Sequence, residues 1–282
     1  MPRGRRTRVR GAGNESRPAL KGVRRAADVL DYLARRPGRA VDAAAGLGVS
    51  WATLHRTLSQ LERDDFLQRD PDTHRYRIGP RMWLIGTSYL AHHPVLEAAQ
   101  SYLQVEVEGV DLAVQLVERI GRQAVTLYAQ QGSGETITKT TYGYHFPLHC
   151  GAKGQVLLAY AGADFIDDYL AAPLQSLTPE TVTDPATLRR MLALIRQQGW
   201  ARTEGDVQAF TGSLAAPVFN RRGEAVAALA LITHRSSLRD AGTGERMLET
   251  LLRMAQSISI ALGWRPGGLE AERRHAHQRR SP

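Results

Sequence analysis

The chain has 282 residues, 43% of them hydrophobic, enough to bury the cores of two modest domains. Its longest uninterrupted apolar run, Ala225–Ile232, is far too short to span a bilayer, and the basic first twenty residues hold no apolar stretch of a secretory signal. One cysteine, Cys150, excludes an internal disulfide, so a reduced, cytoplasmic setting without membrane contact is expected. The net charge of +9 is unevenly placed: residues 1–40 hold 12 basic and 3 acidic side chains, and the rest of the chain carries 25 of each.

Residues 1–19, rich in Arg and Gly with almost nothing to bury, read as a disordered basic arm. Such an arm suits phosphate contacts beside a DNA-binding unit, and is otherwise a solvated tail. A helical pattern starts at Lys21, keeps Val23, Ala27, Leu30 and Leu33 in phase, and stops at Pro37-Gly38. A short second helix over 41–46 precedes Gly46 and Gly48. Ser50 stands at an N-cap position for a third helix ending near Arg63. In that helix Leu54, Leu58 and Leu61 form one stripe, and the other face shows Thr53, Arg56, Thr57 and Gln60, none acidic. Phe66–Arg69 and Arg75–Ile78 read as two strands around Pro71-Asp72-Thr73-His74. Residues 20–80 therefore read as a winged helix-turn-helix. Its candidate DNA contacts are Trp51, Thr53, His55, Arg56, Thr57 and Gln60 on the helix, and Arg75 and Arg77 on the wing, with Arg69 nearby.

Residues 81–108 read as linker helices broken near His93-Pro94, with Met82, Leu84, Ile85, Tyr89 and Leu90 on one apolar side. From residue 109 the period changes. Leu112–Ile120, Ala124–Gln130, Thr136–Thr141, Ser213–Phe219 and Ala225–Thr233 read as strands; Ala152–Tyr160, Pro185–Gln198 and Glu245–Leu262 read as helices. Hairpin-joined strands with helices alongside predict an α+β domain with a mainly antiparallel sheet over 109–264. The tail, 265–282, reads as disordered, with His275 and His277 solvated rather than metal ligands.

From Lys21 to Leu262 the chain resembles the isocitrate-lyase-regulator (IclR) family of bacterial transcription factors. Three segments carry the likeness: Ala52–Leu58 running on to Tyr76-Arg77-Ile78-Gly79-Pro80-Arg81; Pro147–Ala159; and Gly199-Trp200-Ala201 followed by Gly212–Phe219. The resemblance implies a winged helix-turn-helix, a linker helix and a GAF-like domain that binds a small acidic metabolite. It also implies a homodimer or homotetramer acting on double-stranded operator DNA, with no cofactor. This chain departs from the pattern in places. The second helix is about two residues shorter, Ala52 replaces a usual serine, and Thr57 replaces an apolar residue.

The same resemblance puts the effector site around Cys150, Gly151, Ala152, Lys153, Thr203, Ser213 and Leu214. A helix N-terminus after Gly151 can offer backbone N–H groups to an anion. Lys153 stands where relatives have a small or apolar residue, as either a charge for a carboxylate or a solvated first-turn lysine. Thr203 and Ser213 stand where relatives place an aspartate and a cysteine, so the chemistry differs from that used for glyoxylate or pyruvate. Glu204 and Asp206 stand nearby, as either pocket carboxylates or merely solvated ones. Val110–Ala113 and Leu231–Ser236 lean toward members that sense aromatic acids.

Cys150 reads as a small buried apolar residue rather than a redox switch. His145 and His149 are four apart, but Pro147 between them argues against a metal pair. No hydrolase, phosphate-loop, zincin or complete dinucleotide motif is present in the sequence, so no catalytic residues are assigned. The alternatives are nonspecific nucleic-acid binding through the arm and a sensor acting through protein partners.

Overall fold

The structure, a computed structural model, describes residues 18–103, 107, 110–132 and 143–266. The basic arm, the strand expected at Thr136–Thr141 and nearly all of the tail lie outside the described residues. The chain divides into two compact units, one up to Ala91 and one from His92 onward.

The first unit holds α1 (Pro18–Arg35), β1 (Gly38–Arg39), α2 (Ala40–Leu47), α3 (Trp51–Arg63), β2 (Leu67–Arg69), β3 (Arg75–Ile78) and α4 (Pro80–Ala91). Its core is Val29, Leu33, Ala43, Leu54, Leu58, Leu61, Leu67 and Tyr76. The buried face of α1 is Val29 and Leu33 with Ala26 and Leu30 packed against them; Val23 and Ala27, expected in phase with Leu30 and Leu33, are exposed. The short α2 packs by one face: Ala43 is buried, Gly46 leaves room for the Tyr32 ring, and the Tyr32 hydroxyl donates to the Asp42 carbonyl at 3.1 Å. Gly48 ends it in the left-handed region, with φ 63°.

The three strands form an antiparallel sheet in the order β1-β3-β2. Pro37-Gly38 had been read only as a helix stop. It also starts β1, because the Arg75 guanidinium donates to the Pro37 carbonyl at 2.6 Å and holds the segment against β3. At the wing tip Asp70 accepts from the Asp72 and Thr73 N–H groups and the Thr73 hydroxyl, and these bonds hold its carboxyl below the usual range. α4 buries none of its residues, so Leu84, Ile85 and Tyr89, expected on an apolar face, stand exposed.

The second unit begins with α5 (Pro94–Ala99), which stops well short of residue 108. Six strands follow: β4 (Ala113–Ile120), β5 (Gln123–Gln130), β6 (His145–Pro147), β7 (Ala201–Glu204), β8 (Thr211–Phe219) and β9 (Ala225–His234). They form one antiparallel sheet in the order β6-β5-β4-β9-β8-β7. The helices are α6 (Gly151–Ala159), α7 (Ala163–Ala171), α8 (Pro185–Gln198), α9 (Arg235–Arg239) and α10 (Ala241–Ala261). α10 starts four residues before its expected position because Asp240 caps it, accepting the Thr243 N–H at 2.9 Å.

Alternation along the strands sorts the side chains between two cores. On one face Leu116, Leu214, Leu229 and Leu231 meet Met247, Leu251 and Ile258 of α10, with Val95 and Ala99 of α5. On the other, Ala124, Ala201, Ala215, Ala228 and Ala230 lie beneath α6 and α8. Small residues on that face let α6 come close, and all nine of its residues are buried. Gly154 is needed for the approach, since a Cβ there would lie 2.8 Å from the Leu148 carbonyl oxygen. Gly154→Ala is expected to destabilise this domain by about 1–3 kcal/mol through overpacking. Urea unfolding of the second unit checks it; an unchanged midpoint would mean the segment before α6 yields freely. No helix among the described residues is long and apolar enough to cross a membrane.

Candidate DNA-reading face and ligand cavity

On α3, Leu54, Leu58 and Leu61 point inward, which leaves Trp51, His55, Arg56 and Gln60 exposed and Thr53 and Thr57 half-buried. Trp51 stacks on His55 with centroids 4.8 Å apart, so the two rings act as one exposed plate. Ser50 has the extended backbone of an N-cap but does not accept from the helix; its hydroxyl donates to Thr53 Oγ1 at 2.9 Å. Thr57 donates to the Thr53 carbonyl one turn back at 3.1 Å, which occupies its proton. Gln60 donates to Asp64 at 2.9 Å. Arg56 has no hydrogen bond among the described residues. On β3, Arg75 and Arg77 share the solvent side while Tyr76 turns into the core, and Arg75 is partly engaged at Pro37. The predicted contacts therefore share one helix face and one strand face of the same unit, with Arg56 and Arg77 the least committed.

The second site lies where α6 meets the sheet. A narrow cavity there is lined by Tyr144, Gly151, Lys153, Thr203, Asp206, Val207, Gln208, Thr211, Ser213 and Ile232. Thr203 and Ser213 face each other across β7 and β8. Of the predicted residues, Gly151, Lys153, Thr203 and Ser213 line it, and Ala152 joins through its backbone. Leu214 does not: strand alternation sends it into the opposite core with α10. Cys150 sits behind the cavity, fully buried. Its Sγ is 3.9 Å from the Gln175 carbonyl, and burial pushes its thiol up to about 12, which leaves no thiolate to react.

The backbone donors at the start of α6 are already engaged. Gly151 N–H donates to Asp206 Oδ2 at 2.7 Å and Ala152 N–H to Thr203 Oγ1 at 3.1 Å. Of the two nearby carboxylates, Asp206 lines the cavity: it is only 7% exposed, and burial raises its carboxyl pKa. Glu204 instead pairs with Arg202 and Arg239, at 2.8 and 2.6 Å. His149 is buried between the Tyr169 hydroxyl and the Gln175 carbonyl, both at 2.9 Å, and burial lowers its pKa and keeps it neutral. Among the described residues no three metal-binding side chains cluster.

Lys153 is the largest surprise. It is 6% exposed, donates a short hydrogen bond to Gln115 Oε1, and lies 4.8 Å from the Phe146 ring centre. Gln115 Nε2 and Ser213 Oγ are buried without a partner. Gln115 went unremarked in the sequence, although a glutamine inside the apolar run Leu112–Val117 was a visible signal. Burial lowers the Lys153 pKa from 10.5 to about 7, with Asp206 opposing the shift. Between those values the unfolded chain binds a proton that the folded chain does not, so stability rises with pH across that window. Lys153→Met is expected to flatten that rise in urea unfolding between pH 7 and 10. Parallel pH profiles for the two proteins would show that the folded amine titrates normally.

A helix-turn-helix unit with a hairpin wing, followed by an antiparallel-sheet domain with a narrow cavity at α6, is the architecture of a DNA-binding transcription regulator. Comparison with known proteins gives the same class. Residues 22–71 match the IclR helix-turn-helix domain and residues 87–260 match the bacterial transcriptional regulator IclR C-terminal domain. The HTH-type transcriptional regulator XynR of Escherichia coli is 26% identical over 88% of this chain and 99% of its own. A crystal structure of an IclR-type regulator from Silicibacter sp. TM1040 superposes with a TM-score of 0.78 at 27% identity, over 86% of this chain and 97% of that one. An IclR homologue from Microbacterium hydrocarbonoxydans, solved with 4-hydroxybenzoate, has a TM-score of 0.68 at 25% identity, over 86% and 98%. The chain belongs to the IclR family of bacterial transcriptional regulators. Its relatives are regulators, not enzymes.

Proposed function

We propose that this regulator reads an operator with α3 and the β2–β3 wing and changes its DNA affinity when a small carboxylic acid enters the cavity at α6. The observation that carries the ligand half is the narrow cavity, of about 30 Å³, that gathers Lys153, Thr203, Ser213 and Asp206 and would widen around a ligand. A buried amine beside unpartnered polar atoms costs stability unless a ligand uses it. An acid placed against Lys153 would draw that amine back toward its protonated form, next to the idle donors of Gln115 and Ser213. The α6 N–H groups contribute only if the ligand displaces Asp206. The complex of the Microbacterium relative with 4-hydroxybenzoate supports an aromatic acid as the first class to test. The protein works as a cytoplasmic homodimer or homotetramer, so its site is a palindrome with half-sites one or more helical turns apart.

Selection from random duplex DNA at near-physiological salt, with excess competitor, is expected to recover such a palindrome. With that probe, hydroxyaromatic acids are expected to raise the thermal midpoint of the second unit and shift the operator titration. A response to short aliphatic acids alone would overturn the aromatic assignment. Binding that competitor DNA abolishes would overturn operator recognition.

A further inference from the structure

We propose that the cavity captures a small aldehyde or ketone as a Schiff base on Lys153, so that the sensing domain reads a carbonyl compound by a reversible covalent bond. The inference rests on the cavity being the effector site and specifies the chemistry opposite the amine.

The first support is the choice of residue. Of 37 basic side chains in the protein only three are lysine, at positions 21, 139 and 153; the other 34 are arginine. This sequence supplies positive charge with guanidinium almost everywhere. Arginine would also hold a carboxylate better, through a bidentate pair. What lysine adds is a primary amine that can become a nucleophile. The amine at 153 is placed inside a cavity rather than in solvent.

The second support is the surroundings. Lys153 forms no ion pair among the described residues, and its one hydrogen-bond partner is the neutral Gln115 side chain. Burial of the amine, with Val207 and Ile232 in the cavity walls, disfavours the ammonium form and lowers its pKa to about 7, against the opposing pull of the Phe146 ring face and of Asp206. Asp206, whose burial favours its protonated form, lines the same cavity and can carry protons. Gln115 Nε2 and Ser213 Oγ are idle polar groups that can hold an oxygen.

The step balances without an oxidant or reductant. Neutral Lys153 Nζ attacks the carbonyl carbon, a C–N bond forms, and the carbonyl π electrons pass to oxygen, which takes the Asp206 proton. The nitrogen then loses a proton to the Asp206 carboxylate, giving a neutral carbinolamine. Asp206 returns that proton to the hydroxyl, the C–O bond breaks, and water leaves. The resulting iminium loses its remaining N–H proton to Asp206. Amine and carbonyl yield imine and water, and hydrolysis reverses the capture.

The test treats the full-length protein with 4-hydroxybenzaldehyde or glyoxylate, each with sodium cyanoborohydride, followed by peptide mass spectrometry. The expected result is one reduced adduct on Lys153, formed at least tenfold faster than on Lys21 or Lys139, absent in Lys153→Met, and slowed by excess 4-hydroxybenzoate. The competition arm uses the unaltered protein, so the outcome does not depend on the variant folding. A thermal shift with 4-hydroxybenzoate but no adduct at Lys153 would overturn covalent capture and leave the cavity as an effector site. Neither shift nor adduct would overturn both. Adducts spread equally over the three lysines would mean that Lys153 has no special reactivity.

Discussion

Arg56→Ala is expected to cut affinity for the selected operator about tenfold or more, since one good bidentate base contact carries roughly 1–3 kcal/mol of discrimination. Its position gives the reason. Leu54 and Leu58 fix the rotation of α3 against the core, and that rotation leaves Arg56 on the outer face, unengaged. An exposed side chain with no internal bonds can be removed without disturbing the fold. Fluorescence anisotropy on the operator and on scrambled DNA measures the effect, with a thermal melt as control. A loss confined to the operator identifies a base contact, and an equal loss on both identifies a phosphate contact. No loss on either would remove Arg56 from the reading face. Gln60 is expected to matter less, because Asp64 already holds its amide.

Leu58→Ala is the second large effect, and it acts on stability. Leu58 is fully buried at the centre of the first unit, packed among Val29, Leu33, Ala43, Leu54 and Tyr76. Truncating a buried leucine costs about 2–5 kcal/mol, and a small domain holds little more in total. In a domain this size the same loss lowers the midpoint by roughly 10–30 °C. Calorimetry is expected to show the first unit melting early while ligand still raises the midpoint of the second. DNA binding at 37 °C should vanish with the early transition. A drop in both transitions of equal size would show that the two units unfold together.

The elements that the sequence announced carry either a period long enough to repeat or, as for the wing strands β2 and β3, a turn that marks them. Leu54, Leu58 and Leu61 repeat over two turns, and β8 and β9 run for nine and ten residues. Most of those missed are short: β1 has two residues, β6 three, β7 four and α9 five, held by neighbours rather than by local pattern; α7, missed as well, has nine residues but buries only Tyr169 and Leu170. The ligand cavity was legible as a location but not as chemistry. The Gly151 turn and the hydroxyls at 203 and 213 marked the place. Whether Lys153 pointed inward depended on the alanines beneath α6, which come from four different strands. Asp206 and Glu204 are two residues apart and alike in type, yet one caps α6 and the other pairs with arginines. Only the turn at Gly205, with φ 74°, separates those outcomes. Leu214 was misassigned by one residue, which in a strand exchanges one face for the other.

The central seam of the large sheet pairs Val114 with Leu231, strands more than a hundred residues apart in sequence. A contact of that span closes slowly and only after the distant strand has been made. Everything that builds the first unit's core and wing, by contrast, lies between Pro18 and Ile78. During synthesis the DNA reader therefore emerges and folds well before β9 and α10 leave the ribosome. For that interval the nascent chain carries a complete winged unit beside an unfinished sheet. A chain cut before β9 keeps every residue of the winged unit's core and loses the strand that joins β4 to β8 in the large sheet.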